Sequence, residues 1–137
     1  MSGDVDGAAV RHLVVDAANV VGSRPDGWWR DRAGATERLA ARLDVLARGA
    51  GFPITLVVEG RARTMDPSVA PSIAVSAAAG IGDDAIVSLV AAAADPGGVL
   101  VTTSDRGLAD RVRAHGASVR GARWLLDRLD EAEGVAR

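Results

Sequence analysis

Cysteine, lysine and tyrosine are all absent from this chain of 137 residues. Without cysteine there is no disulfide framework, no thiol nucleophile, no iron–sulfur cluster and no cysteine-built zinc site. Without lysine there is no Schiff base, and no phosphate-binding loop of the Walker-A type, which needs lysine after its last glycine. Histidine occurs only at His12 and His115, too few for a histidine-rich metal site, and both read as structural. No apolar run is long enough to span a membrane, and the polar, acidic residues 1–7 are unlike a secretory signal. A cytoplasmic protein with no membrane partner is the expectation.

What remains is lopsided. All 16 basic residues are arginine, and the 18 acids divide into 14 Asp and 4 Glu, for a net charge of −2. A GC-rich coding bias accounts for the arginine and alanine. It accounts less well for the aspartate, which favours caps, turns and metal sites over helix interiors. With 48% apolar and 25% charged residues the composition is that of a globular protein. The length suits one domain over 1–137, with a loose leader at 1–10 and a polar tail at 130–137.

Short apolar, β-branched runs alternate with helical spacing. Strands are expected at 12–16, 54–58, 73–79, 99–103 and 118–120. Helices are expected at 35–48, where Leu39, Leu43 and Leu46 share a face, and at 83–94, where Ile86, Val90 and Ala93 do. A short helix carries Leu108 and Val112 and ends at Gly116, and a C-terminal one runs over 124–129 with Trp124 in the core. Segments 22–34 and 60–72 read as loops. Near-continuous apolar strands between amphipathic helices predict a three-layer α/β/α sandwich with a mostly parallel central sheet.

In such a sheet, sites form outside the carboxyl ends of the strands. Asp16, Glu59 and Asp105 each end or follow a strand, and Asp83 and Asp84 begin a helix. If the strands are parallel, these acids converge on one edge. Crowded carboxylates repel unless a cation neutralises them, and oxygen donors without Cys or His select Mg²⁺ or Mn²⁺. Asn19 adds an amide near the first acid. Each acid also has an ordinary explanation. Asp83 and Asp105 could cap helices and Glu59 could be a loop acid, whereas Asp16 ends a run of core residues with no helix expected after it.

Competing sites fit less well. Gly80-Ile81-Gly82 resembles the start of a dinucleotide fingerprint, but Asp83 and Asp84 would repel a pyrophosphate. A phosphatase of the haloacid dehalogenase type needs an acid where Ala18 stands, and there is no Gly-x-Ser-x-Gly elbow.

Three motifs in order resemble the PIN-like nucleases, in particular their NYN branch. They are Val14-Val15-Asp16-Ala17-Ala18-Asn19-Val20, Gly82-Asp83-Asp84-Ala85-Ile86-Val87, and Val101-Thr102-Thr103-Ser104-Asp105 followed by a short helix and Gly116. Together they span about 12–129. The resemblance implies a PIN-like fold and a metal-dependent endoribonuclease acting on RNA phosphodiesters. Carried over by position, Asp16, Asp83 and Asp105 are its catalytic acids and principal Mg²⁺ or Mn²⁺ ligands. Asp84 is a neighbouring ligand or an outer-sphere group, and Asn19 is the amide after the first acid. Glu59 stands where many relatives have Asp. Chemically, bound metal lowers the pKa of water and clamps the phosphate oxygens, so no His or Cys is required.

The segment 22–34 supplies candidate RNA contacts: Arg24, Trp28, Trp29, Arg30 and Arg32. Guanidinium forks match phosphates and indole faces stack on bases. The ordinary alternative is that Trp28 or Trp29 pins the loop while the arginines pair with Asp26 and Asp31. Arg61 and Arg63 could also face substrate. Net negative charge argues weakly against nucleic acid unless charge is segregated. From Ser23 to Arg32 there are three Arg against two Asp, so binding should be modest and salt-sensitive. The class also admits a homodimer and an antitoxin-like protein partner. Two other readings stay open: a catalytically silent RNA-binding or protein-interaction module, and a small-nucleotide phosphohydrolase.

Overall fold

The computed structural model describes residues 4–5, 8–24 and 27–134. Five parallel strands form the central sheet: β3 (His12–Asp16), β4 (Ile54–Val58), β5 (Ala74–Ala77), β6 (Val99–Thr102) and β7 (Ser118–Arg120), in the spatial order β5-β4-β3-β6-β7. The expected three-layer architecture is the observed one, and the sheet is parallel throughout. Before it, β1 (Asp4–Val5) and β2 (Ala8–Ala9) pair antiparallel. The expected loose leader is therefore partly paired chain, with residues 1–3 and 6–7 outside the described residues. The expected polar tail begins inside the last helix, and residues 135–137 lie outside the description.

Alternate residues of each strand feed the two faces. Leu13, Val15, Leu56, Val58 and Leu100 pack under α1 (Ala17–Gly22), α2 (Arg32–Ala50) and α5 (Ala122–Ala132). Val14, Val57, Val99 and Val101 pack under α3 (Gly82–Ala92) and α4 (Arg106–Ala114). All five residues of β4 are buried, as a strand covered on both faces requires. Trp124 is half-buried against the first of these clusters. His12 Nε2 lies 2.7 Å from Thr55 Oγ1, and burial lowers its pKa; His115 closes α4.

The boundaries moved where caps, not periodicity, decide them. Asp31 accepts the Gly34 N–H at 2.9 Å and starts α2 at Arg32, three residues before the apolar pattern begins. Gly51, at φ 79°, ends it. Segment 60–72 is two 3-10 turns, Gly60–Thr64 and Pro67–Val69, which bury Ala62 and Met65 and leave Arg61 and Arg63 exposed.

One ion cluster clips α2 to α5. Arg42 donates to Asp130 at 2.6 Å and to Glu133 at 2.9–3.1 Å, and those carboxylates raise its pKa against the effect of burial. A forked, partly buried contact of this kind is worth more than a lone surface pair, about 1 kcal/mol. Arg42→Ala should lower the melting temperature by about 2–6 °C, read by circular dichroism; an unchanged melt would show the cluster contributes nothing.

Candidate functional site

The strand order reverses at β3. The chain moves from β3 outward to β4 and β5, then returns to the other side of β3 for β6 and β7. A crevice opens at such a point, beyond the carboxyl ends of β3 and β6. Asp16 is the last residue of β3, and Val15 pairs with Thr102, which puts Thr103 level with Asp16.

Asp16 is only 5% exposed. Its Oδ2 accepts from the Thr103 hydroxyl at 2.9 Å and its Oδ1 from the Asn19 N–H at 3.3 Å. The second bond corrects the sequence reading. A helix does begin here, α1, and Asp16 is its N-cap. With six residues, α1 is too short to show a helical period in the sequence. Burial raises the Asp16 pKa most, the two hydrogen bonds oppose this, and the charges of Asp83 and Glu59 raise it further. The Asp83 pKa is also raised, first by burial, then by Asp105 and Glu59; Arg111 opposes them and Asp84 adds a little. Carboxylates from four separate segments therefore meet at this edge, where Asp83 and Glu59 act on Asp16, and Asp105 and Glu59 act on Asp83.

Several of these side chains also hold the frame. Asp105 caps α4 through the Leu108 N–H at 3.0 Å. Glu59 Oε2 accepts the Gly82 N–H at 2.8 Å, anchoring the start of α3, which carries Asp83, to the end of β4. A Cβ at Gly82 would come within 3.1 Å of the Glu59 carboxyl, so glycine permits this approach. Asn19 Oδ1 accepts the Ser104 N–H at 2.7 Å, and Ser104 Oγ accepts the Ala122 N–H at 3.0 Å. Asp84 is exposed and pairs with Arg111 at 3.0 Å, joining α3 to α4.

Sequence reasoning did not assign roles to Thr103, Ser104, Gly82 or Arg111. Thr103 is 2% exposed, and its oxygen also accepts the Asp105 N–H at 3.1 Å, so one hydroxyl bridges two of the acids. The hydroxyl run before Asp105 was the available signal.

By charge and by donor type this edge suits a hard cation, because its donors are carboxylate oxygens, two of whose pKa values are raised first by burial and then by neighbouring carboxylates. As the side chains stand, no three acidic or imidazole groups among the described residues are close enough to share one ion.

The arginine and tryptophan segment divides. Trp28 and Trp29 meet edge to face at 6.1 Å between centroids. The Arg32 guanidinium lies 5.3 Å from the Trp28 ring and that of Arg30 lies 5.8 Å from Trp29, which is 55% exposed. Asp31 serves as a helix cap rather than an arginine partner, and Asp26 lies outside the described residues. Trp28 and Arg32 line the same recess as Glu59. Arg24 does not; it lines a separate recess with Arg38 and Arg42, between α1, α2 and α5.

Among solved structures the chain is similar to Rae1 (YacP) from Bacillus subtilis. A tryptophan-to-leucine variant of that protein aligns with a TM-score of 0.73 and 19% identity, over 91% of this chain and 78% of the other. A second Rae1 (YacP) structure aligns with a TM-score of 0.71 and 20% identity, over 91% and 76%. At this identity the likeness shows a shared fold. No family model and no curated protein matches the chain.

Proposed function

We propose that this protein is a divalent-metal-dependent endoribonuclease of the NYN/PIN-like class. One observation carries the reading. A buried carboxylate, Asp16, ends the strand at which the sheet order reverses, and it is electrostatically coupled to Asp83 and Glu59, as Asp83 is to Asp105. The order of the three motifs and the fold shared with Rae1 (YacP) support it.

Asp16, Asp83 and Asp105 would hold Mg²⁺ or Mn²⁺, with Asp84 beside them. A metal bound there would supply Lewis-acid activation of water near neutral pH and charge neutralisation at the phosphate. The chain's own residues prepare this edge. Thr103 and the Asn19 N–H fix the Asp16 carboxylate, Glu59 fixes the start of α3, and Asn19 ties α1 to the segment bearing Asp105. Trp29, Arg30 and Arg32 offer stacking faces and phosphate donors to a single strand.

The test is cleavage of single-stranded RNA with millimolar Mn²⁺ and with chelator, alongside thermal melts. Cleavage should require the metal, and the melting temperature should rise with it; a ligand at 100 times its Kd adds about 2.7 kcal/mol. RNA left intact at every metal concentration, with no melting shift, would overturn the reading.

A second reading, a silent RNA-binding module, is favoured by the lack of three ion-sharing acids among the described residues. It expects RNA binding without cleavage.

A further inference from the structure

The inference rests on the reading of this edge as one that takes RNA, and it concerns the base next to the scissile phosphate. We propose that the recess between α1, the Trp28–Arg30 turn, the start of α2 and the segment after β4 is a subsite for one unpaired nucleobase, and that its polar ends select guanine.

The recess is about 320 Å³, at the small end of ligand pockets. Ala18, Val21 and Ala62 give it apolar walls. The Trp28 ring is half-buried and set close to α1: a Cβ at Gly22 would lie 3.6 Å from it. The Trp28 ring therefore offers a flat surface suited to stacking a base, and the Arg32 guanidinium, 5.3 Å from its centroid, places hydrogen-bond donors beside it.

The polar groups differ in what they have left to offer. The Thr36 hydroxyl is spent on the Arg32 carbonyl at 2.7 Å. The Arg32 side chain makes no hydrogen bond or ion pair among the described residues, so its guanidinium donors are available to a ligand. Glu59 Oε2 accepts the Gly82 N–H, while Oε1 accepts nothing among the described residues. The recess therefore presents donors from one residue and a carboxylate acceptor from another.

Guanine is the base that fits both. Its N1–H and N2–H₂ are adjacent donors for a carboxylate, and its O6 and N7 are the paired acceptors that a guanidinium reads. Adenine would turn the N1 lone pair toward Glu59, and uracil offers one donor only. The recess also lies where a substrate base belongs. Ala18 is on the helix that Asp16 caps, and the charge of Glu59 is felt at both Asp16 and Asp83. Reading a base edge this way requires the RNA to be single-stranded at that nucleotide.

The experiment titrates the whole chain with guanosine, adenosine, cytidine and uridine separately, by calorimetry and tryptophan emission. Nucleosides carry no phosphate for the acids to repel. Guanosine should bind about tenfold or more tighter than adenosine and quench emission. Glu59→Gln keeps a carbonyl for the Gly82 N–H and should abolish the preference. Trp28→Leu should abolish the quench; if it melts early, Trp28→Phe should retain guanosine binding without the emission change. Equal binding of the four nucleosides, no binding, or a preference untouched by Glu59→Gln would overturn the subsite. RNA cleavage with Mn²⁺ is measured on the same preparation. Cleavage without guanosine preference removes the subsite and leaves the nuclease; guanosine preference without cleavage does the reverse.

Discussion

Asp16→Asn should reduce Mn²⁺-stimulated RNA cleavage by about 100-fold or more while the protein stays folded. Residues that merely orient metal ligands cost about 10–100-fold when lost, and Asp16 is proposed as a ligand itself. The fold should survive because asparagine is as good an N-cap as aspartate. Its amide can also keep one partner for Thr103 and one for the Asn19 N–H. Stability should move in the opposite direction to activity. Burial holds the Asp16 pKa above its ordinary 3.8, so the folded state binds its proton more tightly than the unfolded state does. Stability then falls as pH rises from the unfolded value through the folded one, and the penalty persists above it. In chelator at pH 7, Asp16→Asn should melt no lower than the parent, and any advantage should vanish below about pH 4. Cleavage retained after rigorous purification would remove Asp16 from the chemistry; collapse of the fold would show that its charge is structural.

Thr103→Val should cost activity about 10–100-fold through orientation alone. The lost hydroxyl donates to Asp16 Oδ2 and accepts from the Asp105 N–H. Valine has nearly the same shape but leaves a buried carboxylate oxygen and a backbone N–H unpaired, at about 1–3 kcal/mol each. Thr103→Ser restores both bonds and should recover most of the rate. The bond from Thr103 lowers the Asp16 pKa, so its loss should raise that pKa further. If Asp16 must be ionised to act, the acidic limb of the pH–rate profile should then shift upward for valine and not for serine. Equal losses in valine and serine, or an unshifted limb, would mean Thr103 acts only in packing.

The acids were legible because aspartate at the end of a β-branched run is a local signal. Asp16, Asp83 and Asp105 stand out in a chain with few other chemical groups, and a parallel sheet sends all strand ends to one edge. What was not legible was the second occupation of Asp16 and Glu59, or the reach of Asn19. Asp16 caps a helix of only six residues, Glu59 holds the N–H of Gly82, and Asn19 reaches Ser104. These partners are 3, 23 and 85 residues apart in sequence, and no periodicity encodes the longer separations. The division of the arginine segment was equally hidden: Arg24 and Arg32 flank the same tryptophans in sequence, yet they line different recesses.

The sequence by itself determined the layers and narrowed the chemistry open to the chain. Alternating buried strands and amphipathic helices admit little besides a three-layer sandwich, and a chain without cysteine or lysine and with two histidines leaves carboxylates as the main candidates for chemistry. Only the tertiary structure decided how those carboxylates are held. Strand order sets which ends flank the reversal at β3, and register sets Thr103 level with Asp16. Both arise from pairings between segments distant in sequence, whose free energy exists only once the sheet has formed.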